Sequence, residues 1–130
     1  EIGSQATNFE HRSFGEELLL CSRYFYGHVT GNLQVAYNGG FYGNNSATGH
    51  VYFKVPMRAA PTPIKTTGAN YFLVYAASDT VNLDGDISAN DVSVNGAGHY
   101  ATTDATKTAG FACRVVSANA AARLGYDAEL

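Results

Sequence analysis

Hydrophobic and polar residues alternate in several stretches of the chain, and this period of two predicts half-buried β-strands. The alternation is found at Leu33, Val35 and Tyr37, at Val51, Phe53 and Val55, at Phe111, Cys113 and Val115, and from Leu124 to Leu130. Residues 70–77 (NYFLVYAA) are almost continuously apolar, which predicts a centrally buried strand. Because the last stretch alternates up to the final residue, we expect it to be paired in a sheet.

Turn-forming residues separate these stretches. Residues 38–49 (NGGFYGNNSATG) predict a long loop or a wide hairpin tip. Val92 and Val94 predict a short strand, and Gly, Ala and Gly at 96–98 predict the turn after it. Three prolines between residues 56 and 63 place that segment at a sheet edge or in a kinked extended stretch.

A helix is predicted near the start of the chain. Ser13 and Glu16 have the spacing of a capping box, in which each side chain satisfies a backbone donor of the first turn. Apolar residues then recur on one helical face, and Gly27 is a plausible stop, so we expect a helix over about 14–25. The alternative is a β-strand through residues 23–26 (RYFY).

Short strands, frequent turns and one helix predict a mainly β protein, an antiparallel, jelly-roll-like β-sandwich with one short N-terminal helix. We divide the chain into an exit strand or linker from a preceding module at 1–12 and a C-terminal sandwich domain at 13–130. The predicted core consists of Leu18, Cys21, Phe53, Val55, Phe72, Val74, Phe111, Cys113 and Leu124.

Composition excludes several classes of protein. The formal net charge is −3 and no run of either sign occurs, which argues against a nucleic-acid partner. The longest apolar run, residues 18–21, is far too short for membrane insertion. Cys21 and Cys113 lie in apolar stretches, where a buried free thiol is the usual state, although a disulfide stays open.

Motifs for catalysis or cofactor binding are not apparent, so we expect neither an enzyme nor a cofactor. The four histidines do not have metal-ligand spacing. Asn82, Asp84 and Asp86 could offer oxygen ligands to calcium, but the sixth position of such a loop is Ile87 rather than glycine, and the twelfth is Ser93. The alternative at Asp84 is an acidic hairpin turn.

Binding is instead expected in the two longest irregular connections, residues 38–50 and 79–108, because alternating strands commit one face to the core. Aromatic faces and amide or hydroxyl groups are what a sugar requires. The residues predicted to bind are Tyr42, Asn44, Asn45, His99 and Tyr100. The alternative for the first loop is that Phe41 and Tyr42 tuck inward and hold the loop together.

Three segments carry a resemblance to a known family. SFGEELLLCSRYFYG at 13–27, VYFKVPMRAAPTPI at 51–64 and GYDAEL at 125–130 resemble the C-terminal domain of bacteriophage tail-fibre and tail-tip proteins. Residues 1–13 (EIGSQATNFEHRS) resemble the exit strand of a preceding module in that family, with Asn8 where proline is usual. The three segments occur in the order found in the family, with DAEL at 127–130, whereas the regions 38–50 and 79–108 follow no known pattern.

The resemblance implies a virion component, assembled in the host cytoplasm, that forms a homotrimer and contacts other tail proteins. It also implies a domain that faces a receptor, but it names no receptor and supplies no catalytic residues. From the loop residues named above we expect the receptor to be a glycan on the host cell surface. A function of a different class is a carbohydrate-binding module appended to a secreted hydrolase.

Overall fold

A computed structural model describes residues 12–76 and 78–129. The predicted linker at 1–12 and the terminal Leu130 therefore lie, except for Arg12, outside the described residues. The elements are α1 (Phe14–Ser22), β1 (Phe25–Val29), β2 (Val35–Phe41), β3 (Ser46–Tyr52), β4 (Thr62–Lys65), β5 (Phe72–Ala76), β6 (Asp79–Asn82), β7 (Ser88–Asn90), β8 (Gly96–Thr102), β9 (Ala112–Ser117) and β10 (Leu124–Asp127).

The strands form two antiparallel sheets. The small sheet has the order β1-β10-β4, and the large sheet has the order β6-β5-β9-β2-β3-β8-β7. In the small sheet Tyr126 is paired with Tyr26 on one side and Pro63 on the other, so the last described strand is central. The prediction of a mainly β, antiparallel sandwich with one short N-terminal helix is confirmed.

The core lies between the two sheets and is closed by apolar side chains from both. Predicted core residues Phe72, Val74, Cys113 and Leu124 are buried, as expected from their alternation. Phe53 packs against the core but is only half-buried, and Val55 is also half-buried, because both follow the end of β3 at Tyr52.

The helix begins as predicted but ends early. The Ser13 hydroxyl accepts from the Glu16 N–H at 3.3 Å, and the Glu16 carboxylate accepts from the Ser13 N–H at 2.8 Å. The helix stops at Ser22, three residues before the predicted end, and β1 starts at Phe25. The alternative of a strand at 23–26 is thus half correct, and Gly27 lies inside β1 rather than at a helix stop.

The core assignments of Leu18, Cys21 and Phe111 are wrong. No residue of α1 is buried, because the helix lies outside the sandwich with its apolar face uncovered by the described chain. Phe111 precedes β9; its backbone pairs with Phe41, but its side chain is exposed. Helical periodicity identifies an apolar face, but it does not show whether that face packs against this chain or against a partner.

Glycine-rich segments predicted as turns are largely strands. Most of 38–50 belongs to β2 and β3, and 96–98 starts β8, whereas Val92 and Val94 lie outside the strands. Gly39 and Gly49 face each other across β2 and β3. A Cβ at Gly49 would overlap the Tyr37 ring and lie 2.6 Å from the Asn38 carbonyl oxygen, so glycine is here a packing requirement and not a turn signal.

Candidate functional site

The turn of the β2–β3 hairpin, residues 42–45, projects from one end of the large sheet. The Tyr42 N–H donates to the Ser46 carbonyl at 2.9 Å and closes the turn. Phe41 is buried, whereas Tyr42 is 84% exposed and Asn44 and Asn45 are exposed. The alternative that this aromatic pair tucks inward is therefore correct for Phe41 and wrong for Tyr42, which presents its ring to solvent.

The connection between β8 and β9 braces this turn through the backbone. Thr103 N–H donates to the Asn45 carbonyl at 2.9 Å, and Lys107 N–H donates to the Asn44 carbonyl at 2.5 Å. The Gly110 N–H also donates to the Phe41 carbonyl at 2.8 Å. Because the backbone carbonyls hold the connection, the exposed side chains of Asn44 and Asn45 remain outside this bracing.

Tyr100 lies beside the turn, on β8, directly opposite Thr48 of β3. Its hydroxyl is 3.1 Å from the Thr102 hydroxyl. Hydrogen bonds from Thr102 and then Ser46 hold the pKa of Tyr100 below its ordinary value. Ser46 also donates to the Asn45 amide oxygen at 3.4 Å. The side-chain oxygens of Tyr100 and Thr102, and those of Ser46 and Asn45, are thereby paired at the surface.

We use the name tip surface for the exposed and half-buried polar and aromatic groups at this end of the sheet. Its members are Tyr42, Asn44, Asn45, Ser46, Tyr100 and Thr102. The structure thus brings together four of the five predicted binding residues, although Tyr100 reaches the site from a strand and not from a loop. The contributions of Ser46 and Thr102 could not be deduced without knowing the pairing of β3 with β8.

His99 is the fifth predicted residue, and its placement in an exposed loop is wrong. It lies in β8, is 1% exposed and points into the core, where Nε2 is 2.6 Å from the Tyr126 hydroxyl. The physical reason is the pleat of the strand, because adjacent residues face opposite sides and Tyr100 takes the outer one. The description of 79–108 as irregular is likewise wrong, since it contains β6, β7 and β8.

A shallow cleft of about 580 Å³ lies at the same end of the sheet, between β6 and β9. Its walls include Tyr75, Ser78, Asp79, Thr80 and Arg114. The apolar run at residues 70–77 predicts a strand that is buried on both faces, so the sequence gives no sign that Tyr75 is exposed. Arg114 alternates with buried neighbours in the sequence, and this pattern alone predicts its position on the outer face.

Lys107 links this cleft to the tip surface. Its ammonium group lies 2.6 Å from the Asp79 carboxylate, while its backbone N–H holds Asn44. The hydrogen bond from Lys107 holds the pKa of Asp79 below its ordinary value, with a further contribution from the Thr80 N–H. Asp79 is therefore a carboxylate whose charge is already matched by a cation.

The residues considered as calcium ligands are arranged differently from a cation loop. Asp84 is exposed, and Asp86 accepts from the Gly68 N–H at 2.6 Å and lies 4.0 Å from the Lys65 ammonium. Asp84 and Gly85 connect β6 to β7, which pair with different strands, so the alternative of a hairpin turn is wrong. Within residues 12–76 and 78–129, no three His, Cys, Asp or Glu side chains could hold a metal ion together.

The cysteines are unpaired with each other: Cys113 is buried, as expected, and Cys21 is exposed, contrary to expectation. Burial raises the pKa of the Cys113 thiol.

No helix in the described part of the chain is long and apolar enough to cross a membrane. No protein-family model, curated protein or solved structure matches the chain.

Proposed function

We propose that this chain is the receptor-binding domain of a phage tail fibre and that it attaches the virion to a glycan on the host cell surface. The observation that carries the proposal is the tip surface. Tyr42 presents an uncovered aromatic ring on a braced turn, next to the amide side chains of Asn44 and Asn45. Aromatic faces pack on the C–H surfaces of sugars, and amides and hydroxyls bond to sugar hydroxyls.

The assignment to a tail fibre draws on the three resembling segments, whose structural roles fit a scaffold. The segment at 13–27 forms α1 and starts β1, and the segment at 125–130 contributes to β10, the strand paired with β1. These segments lie apart from the tip surface, which is formed by the regions without resemblance. A rigid scaffold that carries exposed loops is what a receptor-binding domain requires.

A homotrimer associated with other tail proteins is part of the same proposal. It is supported by the apolar surface of α1, where Phe14 is 84% exposed and Leu18 and Leu19 are each 55% exposed. Exposed apolar surface of this kind is normally covered by a partner. Identical sites on three subunits would also compensate for weak binding of each sugar through avidity.

Adsorption by variants of the tip surface tests the proposal. We expect purified domain to compete with the phage for host cells, and Tyr42→Ala to lose this competition while remaining folded. Tyr52→Ala is the matched control, because Tyr52 is 76% exposed on the same large sheet but lies at the far end of β3. Competition by Tyr42→Ala equal to that of the unaltered domain would refute the tip surface as the attachment site.

A glycan array with the same variants separates the proposal from a module appended to a secreted hydrolase. A tail-fibre domain should bind glycans of the bacterial cell surface, whereas a module that targets a hydrolase should bind the polymer that its enzyme degrades. Binding only to storage or cell-wall polysaccharides of plants would favour the module and overturn the tail-fibre assignment.

A further inference from the structure

The cleft between β6 and β9 has a chemistry distinct from that of the tip surface. Thr80, Tyr75, Arg114 and Asn38 lie side by side on four neighbouring strands, as their pairing registers show. All four residues are exposed. They therefore form a continuous row of hydroxyl, aromatic, guanidinium and amide groups across the outer face of the sheet.

Arg114 supplies an uncompensated positive charge to this row. The described ion pairs of residues 12–76 and 78–129 do not include Arg114, and the nearby Asp79 carboxylate is matched by Lys107 at 2.6 Å. The whole chain has a net charge of −3, so a local positive cleft is not a consequence of overall composition. A site with this balance favours an anionic group.

Tyr75 holds the Arg114 side chain in place. The guanidinium carbon lies 5.4 Å from the centre of the Tyr75 ring, a distance at which the cation is attracted to the aromatic face. A stacked guanidinium keeps the N–H groups at its edge available, and these match the two oxygens of a carboxylate. Because the stack is already formed, less side-chain entropy is lost when a ligand binds.

The remaining walls suit a sugar ring. Ser78 and Thr80 contribute hydroxyl groups and Asp79 contributes a carboxylate, all of which can bond to sugar hydroxyls. A cleft of about 580 Å³ has the volume of a small-molecule site. We propose that this cleft binds an acidic sugar, whose carboxylate accepts from the Arg114 guanidinium while its ring lies against Ser78 and Thr80.

Titration of the purified, isotope-labelled domain with glucuronate, followed by NMR, tests this site directly. We expect the Arg114 side-chain N–H and the Tyr75 amide to shift, and Arg114→Gln to weaken binding about tenfold or more, as for a lost charge-assisted hydrogen bond. Arg114→Lys should weaken it less, because the charge remains but the planar fork is lost. Unchanged amide shifts in the core verify that each variant is folded.

Arg58→Gln is the matched control, because the Arg58 guanidinium lies 5.2 Å from the Tyr24 ring in a similar stack elsewhere. It should bind glucuronate normally, and so should Tyr42→Ala, so this site and the tip surface can fail separately. Equal binding of the neutral glucuronamide would overturn the role of the carboxylate. Tighter binding of inorganic phosphate would identify a phosphate site instead, and no shift at Arg114 would refute the proposal.

Discussion

The Nε2 atom of His99 lies 2.6 Å from the hydroxyl of Tyr126, and this hydrogen bond joins the two sheets of the sandwich. The Tyr37 ring stacks on the His99 ring with centroids 5.5 Å apart. The His99 Nδ1 atom has no hydrogen-bond partner of good geometry among the described residues. Burial lowers the pKa of His99 to about 4 and outweighs the opposite effect of the nearby Ser88 backbone.

Stability should therefore fall in mild acid. An unfolded chain binds a proton at His99 near pH 6.5, whereas the folded chain binds it only near pH 4. Between these values the unfolded state holds the extra proton, so the stabilisation present above pH 6.5 is progressively lost as the pH falls towards 4. We expect a loss on the order of 2 kcal/mol between pH 7 and pH 5, measured by urea unfolding.

His99→Gln supplies the comparison for this pH dependence. The variant should be less stable at pH 7, but its stability should change less between pH 7 and pH 5. A residual slope of the same sign is expected, because burial also lowers the pKa of His28. Equal slopes in the two proteins would show that His99 does not remain neutral in the folded state.

Tyr126→Phe should destabilise the fold at neutral pH. The substitution removes the hydroxyl and leaves a buried His99 nitrogen without its partner, which costs about 1–3 kcal/mol. Tyr26→Phe is a suitable control, because its hydroxyl is half-buried and lies 3.4 Å from His28 Nδ1, a weak hydrogen bond. Similar losses for both variants, measured by urea unfolding, would contradict a special role for the His99–Tyr126 bond.

The sequence predicts the buried positions of β5, β9 and β10 because their pattern is a direct result of burial, whereas Leu33, which alternates with Val35 and Tyr37, is 76% exposed in the turn before β2. Val74, Cys113, Leu124 and Tyr126 follow from the pattern alone. Glycine-rich strands such as β8 could not be predicted, because glycine signals a turn in composition but here permits close packing. His99 illustrates the consequence. Because β8 is not predicted, the sequence places His99 in a surface loop, whereas the structure places it in a buried contact between the sheets.

In the candidate site, too, the sequence predicts some residues and not others. The sequence predicts Tyr42 and Asn44 because they stand between two recognisable strands. It does not predict that Tyr75 and Arg114 meet, because their proximity depends on the pairing of β5 with β9, and more than thirty residues separate these two strands along the chain. Local patterns carry no information on such long-range pairing, so the cleft emerges only from the sheet order.

Gly49→Ala should be among the more damaging small substitutions. The added methyl group would overlap the Tyr37 ring in a packed part of the sheet, and overpacking costs about 1–3 kcal/mol. Gly43→Ala is the matched control, because a Cβ at Gly43 meets nothing within 4 Å. Thermal unfolding should separate the two variants, and equal midpoints would indicate that the sheet adjusts freely around Tyr37.

Replacing the exposed apolar residues of α1 should separate subunits without unfolding them. In the double variant Phe14→Ser and Leu18→Gln, both changes are at exposed positions of a helix in which no residue is buried. Each substitution should therefore change the stability of a single subunit by less than about 0.5 kcal/mol. Sedimentation equilibrium should show a trimer for the unaltered chain and a monomer for the variant.

Leu33→Asn is the control, because Leu33 is 76% exposed in the turn before β2 and has a positive φ of 57°, which asparagine tolerates. It should remain a trimer. If the unaltered chain is itself a monomer at high concentration, or if the helix variant stays associated, then α1 is not the surface that joins the subunits.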